Sequence, residues 1–216
     1  MLSNNVLTVE GSGISTSTND GKTNPKKARD EIVAALRRIP YRKVARYINQ
    51  RYLNNALRKI PKIVVGSLGR DADGHYCIAR IKVRRLGWDV SLSTGTLRYR
   101  FCNPTIILDP YELADHIQNG IPVTSTLTHE LIHAIQYQNG YAGGHTKVFE
   151  ECCRYASRSG LQVEGGGETI YWKSWSPGES PPKLLQRSPH RTRKVLPRRV
   201  WLELIELEME VLGTPA

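Results

Sequence analysis

No stretch of this 216-residue sequence comes near the roughly 18 consecutive apolar residues that a membrane helix requires. Residues 1–20 also lack the basic start and apolar stretch of a secretory leader, being rich in Ser, Thr, Asn and Gly. A soluble, intracellular protein with no membrane partner is expected. Cysteine is scarce and unpaired in pattern. Cys77, Cys102, Cys152 and Cys153 include no Cys-x-x-Cys spacing, which argues against a four-cysteine zinc ribbon and for buried free thiols. Apolar residues reach only 39%, enough for one packed core with tails outside it. No internal repeat is visible.

Acid is missing from one half of the chain. Residues 22–100 hold 20 Lys/Arg against 5 Asp/Glu, whereas residues 101–180 hold 4 against 9. The run 183–199 carries seven Lys/Arg and no acid. Such segregation predicts a polyanion-binding surface beside an acidic, chemistry-bearing half. The plainer role for any one basic segment is a solvated face.

The periodicities predict an α+β fold. Residues 1–24 bury too little apolar surface to offset chain entropy and read as a disordered tail. Ile32, Val33, Leu36 and Ile39, then Val44, Tyr47, Ile48, Tyr52, Ala56 and Leu57, mark helical runs ended by Pro40 and Pro61. A small antiparallel or mixed sheet follows: Ile63–Val65, the strict alternation at Ala79–Arg84, a hairpin of Trp88–Ser93 and Thr96–Phe101 around Thr94-Gly95, and Ile106–Leu108. Arg80, Lys82 and Arg84, with Arg98 and Arg100, make a basic stripe if these strands share a sheet face. Trp88, Tyr99, Trp172 and Trp175 are candidates to stack on unpaired bases, although packing is the simpler role for each.

Pro122 and Gly140 bracket a helix over the motif, and Thr146 caps another that Gly160 stops. Residues 161–196, rich in Gly, Pro, Ser and cations, read as a linker with a strand at Thr169–Trp175. Residues 197–213 read as an amphipathic terminal helix.

The motif is His129-Glu130-Leu131-Ile132-His133. Four residues apart on a helix, the two imidazoles project from one face a turn apart and suit a tetrahedral metal such as zinc. Glu130 lies where its carboxylate can take a proton from a metal-activated water as general base. A third ligand is needed. Gln136 and Asn139 stand where the metzincin pattern demands glycine and histidine, which excludes that class. His145 follows Gly143-Gly144, whose flexibility would let a loop return the imidazole to the motif helix. Glu150 or Glu151, on the next helix, would serve instead in a gluzincin-like arrangement; the glycine pair favours His145.

The stretch His-Glu-Leu-Ile-His-Ala, a Gly-His twelve positions after His133, Phe149 beyond it and a helix ending in Ser-Gly-Leu resemble the SprT-like zinc metallopeptidase domain. The segment Thr105–Pro110 with Tyr111-Glu112-Leu113 resembles that family's strand before its motif helix. The resemblance spans residues 25–160 and is firmest over 104–161. It implies a zincin-like fold: N-terminal helices, a small sheet, an active-site helix, then a third-ligand loop and helix. It also implies one zinc ion on His129, His133 and His145, Glu130 as base, and a substrate among proteins attached to DNA. Many family members continue into a cysteine zinc ribbon, yet no cysteine follows Cys153. Contact with DNA, single strands included, would then fall to other basic groups, among them Arg191, Arg193 and Lys194.

Three functions follow in order of expectation. The first is a zinc endopeptidase acting at DNA. The second is a DNA-binding or assembly protein with a structural zinc site and no catalysis. The third is a small zinc hydrolase of a non-protein amide. Glu130 favours the first and third, because a structural site has no use for a base there.

Overall fold

Two helices lead the chain, α1 (Pro25–Arg38) and α2 (Tyr41–Arg51), in a computed structural model that describes residues 25–69, 78–91, 96–141, 143–166 and 169–186. The tail at 1–24, Cys77, the Thr94-Gly95 turn, Arg191, Arg193, Lys194 and the helix at 197–213 lie outside these residues. So do the side chains of Trp88, Arg98, Tyr99 and Arg100.

Pro40 lacks an N–H and restricts Ile39, so the chain breaks there and restarts with Pro40 as the cap of α2. Val44, Ala45, Tyr47 and Ile48 are buried on one side of α2, and Arg42, Lys43 and Arg46 face solvent. The helical period was expected to run on to Pro61, but α2 stops at Arg51. Asn54 and Asn55 take left-handed φ values of 52° and 62°, which asparagine tolerates better than most residues. Leu53 and Leu57 reach the core through turns instead, with Asn49 Oδ1 accepting from the Leu57 amide at 2.9 Å.

Five short strands follow or intervene: β1 (Lys62–Val65), β2 (Ala79–Lys82), β3 (Arg85–Ser91), β4 (Thr96–Phe101) and β5 (Thr105–Leu108). β5 lies between β1 and β2, parallel to the first and antiparallel to the second, and buries Ile106 and Leu108. β3 and β4 form a separate antiparallel pair. The expected single basic stripe is therefore corrected. Arg80 and Lys82 lie on β2, Arg98 and Arg100 on β4 of the other sheet, and Arg84 in the connection. The physical reason is that β2 pairs with β5 for only four residues before the chain departs at Val83.

Asp109 ends β5 and caps α3 (Pro110–Gln118), a helix the sequence patterns did not predict. Its carboxylate accepts from the Tyr111 amide at 3.0 Å and from the Leu68 amide at 2.8 Å. α4 (Val123–Gln138) carries the motif and is buried nearly all round, as expected of a central helix. α5 (Lys147–Ser157) packs on it, its first turn capped by Thr146 Oγ1. Two short strands, β6 (Val163–Glu164) and β7 (Ile170–Tyr171), then lie against α4 and α5, and a 3-10 turn follows at Lys183–Leu185. Val163 and Leu185 are fully buried and Leu184 is 7% exposed, so the stretch expected as a linker supplies core residues up to Leu185. Its strand is shorter than the expected Thr169–Trp175.

The fold is thus α+β, with α4 enclosed by α2, α5, β2, β4 and β6. Among the described residues, no helix is long and apolar enough to cross a membrane.

Candidate metal centre

The helical repeat of α4 sets His129 and His133 on one face, with ring centroids 4.8 Å apart. Gly143 and Gly144, at φ of +87° and +92°, adopt a backbone that side-chain-bearing residues rarely take. That turn brings the exposed His145 back to the helix. His133 Nε2 and His145 Nε2 lie 3.2 and 3.1 Å from His129 Nε2. Among the described residues the three histidines form a group able to hold a metal ion, their ligand atoms all within 4.8 Å of one another. Neither Glu150 nor Glu151 belongs to that group.

The opposite ring nitrogens explain why the lone pairs converge. His129 Nδ1 donates to the Glu164 carbonyl at 3.0 Å, and His133 Nδ1 donates to Gln136 Oε1 at 2.8 Å. With the Nδ1 protons held there, both Nε2 atoms of the neutral rings carry lone pairs toward the same space. Burial depresses the His129 pKa. It also pushes that of His133 down to about 4, helped by its histidine neighbours, so both rings stay neutral at pH 7. Nitrogen lone pairs facing each other at such distances repel unless a cation lies between them.

Phe149 forms the floor. It is fully buried, stacks on His133 at 4.4 Å and 22°, and meets His129 and His145 at 4.9 Å. Gly166 packs on the third histidine so closely that a Cβ there would lie 2.9 Å from His145 Cβ. Tyr137 fills the space behind Gly143, where an added Cβ would come within 2.6 Å of its hydroxyl.

Glu130 is 7% exposed, and its Oε2 has no hydrogen-bond partner. Burial, with the Glu164 carboxylate nearby, pushes its pKa up to about 8. This oxygen, on the residue that follows His129, is a buried polar atom with no partner in the protein. Glu164 is better satisfied: its carboxylate accepts from Thr126 Oγ1 at 2.8 Å and lies 3.4 Å from His116 Nδ1. Burial raises its pKa, but these partners outweigh that and hold it below the usual carboxylate value.

Comparison with protein-family models, curated proteins and solved structures finds no match. The site therefore rests on its own geometry. Sequence patterns point to His129, Glu130, His133 and His145; the structure brings the three histidines together and buries Glu130 on the same helix as the first two. Gln136, Glu164 and Gly166 had not been singled out as partners of the site. Gln136 was detectable in principle, three residues after His133 on the same helix. Glu164 contacts His129 through a main-chain carbonyl, which any residue possesses, so no local pattern marks it.

The described basic candidates lie elsewhere. Arg80, Lys82 and Arg84 are exposed on β2 and just after it. A second set is denser. Arg37, Arg42 and Lys43, all exposed, border a cleft of about 520 Å³ with Tyr41, Ile63 and Val65. Trp175 packs edge-on against Tyr155 at 5.5 Å, whereas Trp172 is 52% exposed.

Proposed function

We propose that this chain is a zinc-dependent endopeptidase of the SprT-like, zincin-fold type, acting on proteins associated with DNA. The observation that carries the reading is the convergence of three histidine nitrogens, together with a buried Glu130, next to the first of them in the chain, whose Oε2 has no partner. Zinc bonded to nitrogen at about 2.0–2.1 Å in a tetrahedron separates its ligand atoms by about 3.3 Å. The two spacings of 3.2 and 3.1 Å around His129 Nε2 fit that value, and with all three ligand atoms within 4.8 Å of one another, binding would draw His133 and His145 together. Three imidazoles leave a fourth position open, the pattern of catalytic rather than structural zinc sites.

When bound there, zinc would supply a Lewis acid that polarises a peptide carbonyl and acidifies water. His129, His133 and His145 would hold it, and Phe149 excludes solvent from beneath. Glu130 takes a proton from the attacking water at its free oxygen and returns it to the departing amine. Burial, more than the nearby Glu164 charge, raises its pKa to about 8 and keeps it protonated at pH 7, so its work as a base relies on the charge of a bound cation to free the carboxylate.

The DNA component rests on the charge segregation and on the exposed cations of α1, α2 and β2. A DNA-binding protein with a purely structural zinc is the second reading. The orphaned Glu130 oxygen speaks against it, since a closed structural site gives that oxygen no task. Metal analysis combined with proteolysis by parent and Glu130→Gln, with and without DNA, tests the proposal. One zinc per chain and cleavage abolished in the variant are expected; a metal-free parent, or equal cleavage by both, overturns it.

A further inference from the structure

Gln136 is 2% exposed and makes two different hydrogen bonds through one amide. Its Oε1 accepts from His133 Nδ1 at 2.8 Å, and its Nε2 donates to the Gly144 carbonyl at 3.0 Å. The first bond fixes the tautomer and ring orientation of a helix ligand. The second fastens the residue just before His145, in a loop whose two left-handed glycines otherwise leave it free to move. The main-chain amide of Tyr141 also donates to the Gln136 carbonyl at 3.0 Å, so the start of the loop is tied to the same residue.

We infer that Gln136 is a positioning residue that couples His133 to the Gly143–His145 loop, so that the third metal ligand is set in place by the second. This rests on the metal-site reading above. The chemistry of the amide is essential. A carboxylate of the same size accepts from His133 but has no N–H for the Gly144 carbonyl, and an isobutyl group does neither. The coupling therefore separates into two steps that two substitutions can distinguish.

The test measures zinc affinity by chelator competition for the parent, Gln136→Glu and Gln136→Leu. It adds the visible spectrum of cobalt-loaded protein and amide hydrogen exchange over residues 143–146. Gln138→Ala is the structural control. Gln138 bonds the Arg58 amide, the Lys59 carbonyl and Asn103, away from the metal, so its loss should lower Tm without changing affinity. Removing such outer partners of metal ligands typically costs about 10–100-fold in affinity. Gln136→Leu should fall in that range. Gln136→Glu should bind more tightly than Gln136→Leu yet more weakly than the parent, with an altered cobalt spectrum and faster loop exchange. Exchange of the loop amides should slow on metal binding in the parent and much less in either variant. Should Gln136→Leu fail to fold, the near-isosteric Gln136→Glu alone decides. Affinity, spectrum and loop exchange in Gln136→Glu equal to those of a zinc-loaded parent would overturn this inference and leave the proposed function standing. A parent that binds no zinc overturns both.

Discussion

The main-chain carbonyl of Glu164 stands 3.0 Å from His129 Nδ1, 35 residues away along the chain. The Glu164 amide also donates a 3.0 Å hydrogen bond to Ser125 Oγ, one turn before His129 on the same helix. The β6 strand is thus fastened to the motif helix on both sides of one residue, and a histidine of the candidate metal cluster is one of the two fastenings.

The ligand set gives the first prediction. His129→Ala and His133→Ala should empty the site, and His145→Ala should weaken metal binding sharply. Glu150→Ala and Glu151→Ala should leave it unchanged, because neither joins the cluster. Metal analysis after dialysis checks this, and loss of metal in Glu150→Ala with retention in His145→Ala would move the third ligand to α5.

Glu130→Gln should keep the metal and lose at least about 100-fold in turnover, the scale of a general base. The amide preserves size and leaves the histidines intact, so metal content and kcat separate cleanly. Full turnover in this variant would remove Glu130 from the reaction.

Without metal, stability should depend on pH in a sense that the same residue sets. The folded pKa of Glu130, about 8, lies above its ordinary 4.5, so folding favours the protonated form. That contribution is complete below pH 4.5 and is lost as pH rises to 8. His133 acts oppositely: its folded value of about 4 lies below 6.5, and protonation destabilises the fold as pH falls from 6.5 to 4. Between pH 6.5 and 8 only the Glu130 effect remains of the two, amounting to about 2 kcal/mol at most. Thermal melts in chelator should therefore show the parent weakening from pH 6.5 to 8 and Glu130→Gln staying level. Parallel melting curves for the two proteins would contradict the burial of an ionisable group there.

Gly166→Ala introduces a methyl group 2.9 Å from His145 Cβ, on a backbone whose φ is not left-handed. The imidazole has to give way. Metal affinity should drop by about 10-fold while the metal-free protein unfolds near the parental temperature, since His145 is exposed. Unchanged affinity, measured by competition, would mean that the loop absorbs the methyl freely.

Association with DNA should fall steeply with salt. Six phosphate contacts give a log–log slope of about −4 on single strands. Replacing Arg37, Arg42 and Lys43 by Ala, or Arg80, Lys82 and Arg84, should flatten the slope by about 2–3 units for whichever group touches the backbone, with no sequence preference. A slope near zero in the parent makes both sets solvated faces.

Much of this site was legible because helices repeat every 3.6 residues and glycine pairs mark sharp turns. His129, Glu130, His133 and His145 follow from those two rules, as do Thr146 and Gly140 at helix ends. The helix α3 was missed because Asp109-Pro110 reads equally as a strand end and as a cap with proline in the first turn. The basic stripe failed because alternation fixes which side a residue faces within a strand, not which strands pair. The role of residues 161–186 was hidden by composition: Gly, Pro and Ser dominate, and the apolar residues that matter, Val163, Leu184 and Leu185, are few and widely spaced.

That last segment bears on modularity. A fragment ended after Gly160 would retain every side chain of the His-Glu-x-x-His cluster, yet its His129 would have no carbonyl acceptor and its His145 no glycine surface to rest on. Leu36, Leu127 and Leu131 would remain in a core stripped of Val163 and Leu185. Shortening this protein from its C-terminal side past residue 186 is therefore expected to register first as failure to retain metal and only afterwards as failure to cleave, although the excised residues contain no ligand.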